Sequence, residues 1–100
     1  MEDNLTHENF SQNLNTTFCI SHEDQHLIEV ELVEVSPFRV TPRQEIFSIL
    51  FRGPHEPQLL QYLFTLEHER MGRMELFLVP VSKDEQGMYY EAVFNRLKTT

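Results

Sequence analysis

Between Met74 and Asn95 the chain runs through two alternating runs of apolar residues, separated by a polar segment that ends in a glycine. In MELFLVPV, Met74, Leu76 and Leu78 fall on one side and Glu75, Phe77 and Val79 on the other, because successive strand side chains point to opposite faces. In GMYYEAVFN, Met88, Tyr90, Ala92 and Phe94 share a face. Ser82 to Gln86 supply a polar loop, and Gly87 can take the positive φ that closing such a loop often requires. The pattern predicts a β-hairpin, which commits the chain to antiparallel pairing.

The same period recurs upstream. Thr6 caps a short helix over His7 to Leu14, its hydroxyl accepting from a backbone N–H near Asn9, with Leu5 placed to pack on Phe10. Phe10 and Leu14 are spaced to share a helical face. Thr16 to Ser21 reads as a strand with Phe18 and Ile20 inward and Cys19 on the other side. His26 to Val35 is a longer strand whose alternation changes phase, and that predicts a β-bulge near Leu32 and Val33. Ser36 to Gln44 holds Pro37 and Pro42 and forms the longest loop. Glu45 to Arg52 follows as a strand with Phe47, Ile49 and Phe51 on one face, broken by Gly53, Pro54 and Pro57. Leu60 to Glu67 resumes with Leu60, Tyr62, Phe64 and Leu66 together, and a turn around Glu69 to Gly72 leads back to the hairpin. The expected fold is mainly β: six antiparallel strands in a partly closed barrel or sandwich, with one short N-terminal helix across an open end. Residues 1–4 are expected to be a disordered start, 5–95 the single domain and 96–100 a polar tail.

A chain of 100 residues, 40% of them apolar, builds one core without metal or disulfide staples. Sixteen acidic residues against eight basic give a net charge of −8, which repels phosphate backbones and anionic lipid and argues against nucleic acid as a partner. The lone Cys19 has no intramolecular disulfide partner, and no apolar run approaches the roughly 20 residues of a membrane span. The expected location is a reducing cytoplasm, with no membrane contact.

One catalytic pattern occurs literally: His22, Glu23, Asp24, Gln25 and His26 spell H-E-x-x-H. In zinc proteases both histidines lie on one helical face and the glutamate activates metal-bound water. Here the residues sit between two strands, so a solvated hairpin turn is expected and no metal site is assigned. Cys19 has apolar or neutral neighbours, unlike an activated thiol, and Glu29, Glu31, Glu34, Glu75 and Glu91 read as solvated outer-face carboxylates. No phosphate loop or nucleophile elbow is present, and no cofactor is expected. Candidate partner contacts are Phe38 and Arg39 in the first proline-containing loop, His55 in the second, and Tyr89, whose neighbour Tyr90 faces the other way. Any unpaired strand edge could also accept another chain's strand.

The order ELVEVSP (Glu31 to Pro37), FSILFRGP (Phe47 to Pro54), LEH (Leu66 to His68), ELFLVPV (Glu75 to Val81) and GMYYEAVFN (Gly87 to Asn95) resembles DUF6916, a bacterial family of short single-domain proteins. The likeness runs from about Leu5 to Asn95. It implies a small β-rich domain without assigned activity, catalytic residues or cofactor, found near phage-tail-collar-like proteins. His22 to His26 departs from the family, where the matching segment is a variable acidic turn. The expected function is therefore a non-catalytic interaction or assembly module, its protein partner a phage-tail-collar-like protein by that context. An enzyme or small-ligand binder using the barrel mouth is the alternative, and weak homo-oligomerisation is the third reading.

Overall fold

The computed structural model describes residues 5–97, and in them one helix, α1 (His7–Gln12), precedes seven strands. These are β1 (Thr17–His22), β2 (Gln25–Val35), β3 (Arg39–Val40), β4 (Gln44–Gly53), β5 (Tyr62–His68), β6 (Gly72–Asp84) and β7 (Gly87–Leu97). All pairings are antiparallel in the order β2-β1-β5-β6-β7-β4, and β4 pairs back onto β2. Six strands thus close into a barrel, with the two-residue β3 added along β4.

Two long strands turn the corners. β2 pairs with β1 as far as Glu31 and with β4 from Glu31 onward, while β6 pairs with β5 from Gly72 to Leu78 and with β7 from Val79. A bulge sits in each second half, at Val33 in β2 and at Val81 in β6, where one residue is skipped in the register. An extra residue bends its strand and increases the local twist, which helps a small sheet close on itself. The phase change expected at Leu32 and Val33 is this bulge. β6 has 13 residues, enough for roughly 43 Å of strand, and the molecule measures 44 × 28 × 23 Å.

Alternation fills the interior. Phe18, Ile20, Leu32, Phe51, Leu66, Leu78 and Tyr90 are fully buried, and Phe18 meets Phe51 edge-on with ring centroids 5.1 Å apart. Each such side chain contributes about 1.5–3 kcal/mol through burial. α1 covers one end. Thr6 caps it as expected, its Oγ1 accepting from Asn9 N at 3.1 Å, and Phe10 is buried against Phe47 and Phe94, which stack at 4.7 Å.

Several expected boundaries move. The helix stops at Gln12 because the Asn13 N–H turns back to the Phe10 carbonyl and the Leu14 N–H to the Ser11 carbonyl, so Leu14 leaves Phe10's face and is exposed. The expected Ser82 to Gln86 loop shrinks to Glu85 and Gln86, with Ser82 opposite Tyr89 and Lys83 opposite Met88. Asp84 explains this: its carboxylate accepts from Gln86 N and Gly87 N and closes a tight turn. Leu60 and Tyr62 are exposed rather than inward, since β6 leaves β5 beyond Leu78 and no strand among the described residues covers that end. Leu59 packs on the core in their place, its N–H donating to the Tyr90 hydroxyl at 2.9 Å. The Ser36 to Gln44 loop contains β3, and β7 takes Arg96 and Leu97 from the expected tail by pairing them with Glu45 and Gln44. The expected start at 1–4 and the tail from 98 onward lie outside the described residues.

Candidate functional site

With Phe47, Ile49 and Phe51 pointing inward, Ile46, Ser48 and Leu50 of β4 face outward. Cross-strand register arranges this outer face in three rows. Glu34, Leu50 and Glu91 align across β2, β4 and β7. Ser48 lies opposite Val93 and is tied on its other side to Ser36, whose N–H donates to the Ser48 carbonyl and whose hydroxyl accepts from Ser48 N. Arg39, Ile46 and Asn95 form the third row. The loop from Ser36 makes one wall of a groove of about 510 Å³, lined by Ser36, Pro37, Arg39, Ile46, Ser48 and Val93, with Glu91 at its side. A smaller hollow lined by Glu34, Leu50 and Glu91 continues it past Ser36 and Ser48. From Ile46 to Leu50 is four residues of strand, about 13 Å. The groove therefore carries a guanidinium at one end and two carboxylates at the other. Among the described residues none of these three is in an ion pair. Phe38, exposed beside the groove, rests on His7 and Phe47 with centroids 5.3 and 6.1 Å away. His7 Nε2–H, in turn, donates to the Ser36 carbonyl at 2.9 Å and anchors the loop.

The other two expected contacts lie at the far end of β4 and converge on Asp84. His55 Nε2–H donates to the Asp84 carbonyl at 2.6 Å, and the Tyr89 hydroxyl donates to the Asp84 carboxylate at 2.9 Å. The Gln86 N–H, then the Tyr89 hydroxyl, hold Asp84 below the ordinary carboxylate range, and the bond to Asp84 raises Tyr89. The arrangement clamps the β6–β7 turn. Phe38 and Arg39 thus share one surface, and His55 and Tyr89 share another.

His22 to His26 form a hairpin turn, as expected, and not a helix. Glu23 and Asp24 take φ of 52° and 66°, the left-handed pair that a two-residue turn requires, and His22 lies opposite Gln25. His22 packs edge-on against Tyr62 at 4.8 Å, and Asp24 meets Arg73 at 3.5 Å. The Cys19 thiol is pushed up by burial, then by Glu29 and Glu67, the opposite of an activated nucleophile.

A polar cluster that sequence reasoning missed sits beneath α1. His68 Nδ1 accepts from Arg70 N at 3.0 Å and Met71 N at 3.1 Å. Its proton is therefore on Nε2 and goes to Thr16 Oγ1 at 2.7 Å, while Thr16 donates to the Asn13 carbonyl at 2.6 Å. Arg70 Nε donates to Asn13 Oδ1 at 2.9 Å. Burial, and secondarily Arg70, push His68 below its ordinary value. The cluster ties α1 to the β5–β6 turn. A histidine next to a turn was its only trace in the sequence.

A family model described as a domain of unknown function, DUF6916, matches residues 5–94. The chain belongs to the DUF6916 family. No curated protein and no solved structure matches it. The match takes in all of α1 and β1 to β6 and most of β7, so the DUF6916 domain and the closed barrel coincide. Among the described residues of this DUF6916 domain, no helix is long and apolar enough to cross a membrane.

Proposed function

We propose that this DUF6916 domain is a protein-interaction or assembly module with no chemistry of its own, docking an extended protein segment in the groove beside Phe38. The observation that carries this reading is the groove's pair of unspent, opposite charges, Arg39 in one row and Glu34 with Glu91 in another about 13 Å away. A fitting segment carries a basic residue for the two glutamates, an acidic residue about four positions on for Arg39, and apolar side chains over Val93 and Pro37. The resemblance in sequence suggests a phage-tail-collar-like protein as its source. Of the other candidate groups, His68 is committed to backbone amides, and His55 and Tyr89 to Asp84. A ligand site in the barrel mouth is the weaker reading, because Phe18, Phe51 and Tyr90 fill the interior. The free thiol of Cys19 suits a reducing cytoplasm.

The test is affinity capture from the native host with the intact chain and with Arg39→Glu, Glu34→Lys and Glu29→Lys. Both groove variants should lose a recovered partner by about tenfold or more, while Glu29→Lys, exposed on β2 away from the groove, should retain it. Equal recovery by all variants, or no partner recovered by the unaltered chain, contradicts the reading.

A further inference from the structure

The split pairing of β2 and β6 leaves strand edges without a neighbouring strand, and these edges are not treated alike. Along β4, Gln44 to Ser48 is covered by Ser36 and β3. On β2, Leu32 is bonded by Asn15 N and to the Thr16 carbonyl. The second half of β6 carries Pro80, the Val81 bulge and Lys83, devices that discourage further pairing. β7 differs. It pairs with β4 along Gly53 to Gln44 but with β6 only up to Glu91, so on its β6 side no strand among the described residues pairs with Ala92 to Leu97. That stretch holds no proline or bulge, and it presents Val93 and Leu97 outward at 62% and 78% exposure.

The geometry points to a second copy of this chain as the occupant of that edge, paired antiparallel β7 to β7 about a two-fold axis through Asn95. An isologous antiparallel pair places side chains of the same face opposite each other, so the axis must pass through a residue and not between two. Centred on Asn95, the register sets Val93 against the other copy's Leu97 twice on the outer face, apolar against apolar. It also sets Arg96, the one charge in the stretch, against Phe94 rather than against itself. Centring on Arg96 would oppose two guanidiniums, and centring on Phe94 would oppose Val93 to Asn95. The first half of β6 lines the same gap, but it turns the charged Arg73 and Glu75 outward where β7 turns Val93, Asn95 and Leu97. β7 is the edge with no outward charge, and joining two copies through it continues the sheet and brings the two grooves onto one face. This goes beyond the docking proposal, because it depends on the backbone edge and not on Arg39.

Light scattering and sedimentation of the intact chain over a dilution series should show a monomer–dimer equilibrium. With Cys19→Ser as background, Asn95→Cys should form a covalent dimer under mild oxidation, since directly opposed Cβ atoms lie about 4.5–5.5 Å apart. Val93→Cys should not, as the two copies of that position are about 13 Å apart along the strands. Arg39→Glu should dimerise like the unaltered chain, so that loss of partner capture and loss of self-association can be told apart. A monomer at every concentration overturns the inference. So does a dimer in which Asn95→Cys and Val93→Cys cross-link equally or neither does.

Discussion

Replacing His68 by Phe keeps a ring against Phe18, whose centroid is 4.2 Å from the imidazole, but removes the acceptor used by Arg70 N and Met71 N. An unsatisfied buried N–H costs about 1–3 kcal/mol. With two affected, and Arg70 nearer to solvent, the expected loss is about 2–4 kcal/mol. His68→Asn restores an oxygen close to the Nδ1 position and should recover about 1–2 kcal/mol of that, though it gives up the ring contact. Acid supplies a second readout. The folded pKa of His68 lies below its ordinary 6.5, so on acidification the unfolded chain takes up the proton first. Its contribution is complete above that value and is lost as pH falls from there through the folded pKa. Urea unfolding at about pH 7.5 and about pH 5 should therefore show the gap between the natural chain and His68→Phe narrowing in acid. Equal midpoints at the higher pH, or a gap that does not change with pH, would refute the tautomer and the burial argument together.

Phe51→Ala should cost about 3–5 kcal/mol in the same assay, because the ring is fully buried between β2 and β7 and meets Phe18. Gly87→Ala should cost about 1–3 kcal/mol, since its φ is 155° and a methyl group there would strike the Gly53 carbonyl oxygen. Asp84 titrates below its ordinary 3.8, so its support of the β6–β7 turn is present above that value and is lost as pH falls through the folded pKa. Asp84→Asn should flatten the stability profile in that acid range, read by thermal unfolding.

The alternation of Met74, Leu76 and Leu78 and of Met88, Tyr90 and Ala92 was legible because a two-residue period maps directly onto inside and outside. The phase change at Val33 announced its bulge for the same reason. The bulge at Val81 did not, because Pro80 and the polar residues after it resemble a loop until Asp84 is seen closing the turn. Closure itself was only half legible, since β2 and β6 each serve two neighbours and strand periodicity does not say where a strand changes partner. The site was harder still. Phe38 and Arg39 stood out as an aromatic and a cation in a proline-containing loop, but Glu34 and Glu91 are far apart in sequence. Only the register through Leu50 brings them into one row. His55 and Tyr89, chosen for exposure, turn out to be held by Asp84, a relation that depends on how the chain returns after Pro57.

Site-specific photocrosslinking in the native host offers the sharpest check, with a photoreactive residue in place of Phe38 and, separately, in place of the exposed Glu29. A discrete adduct to one protein from position 38, abolished by Arg39→Glu and missing from position 29, is the predicted result. Adducts of equal yield from both positions, or none from position 38, would contradict the assignment of the groove.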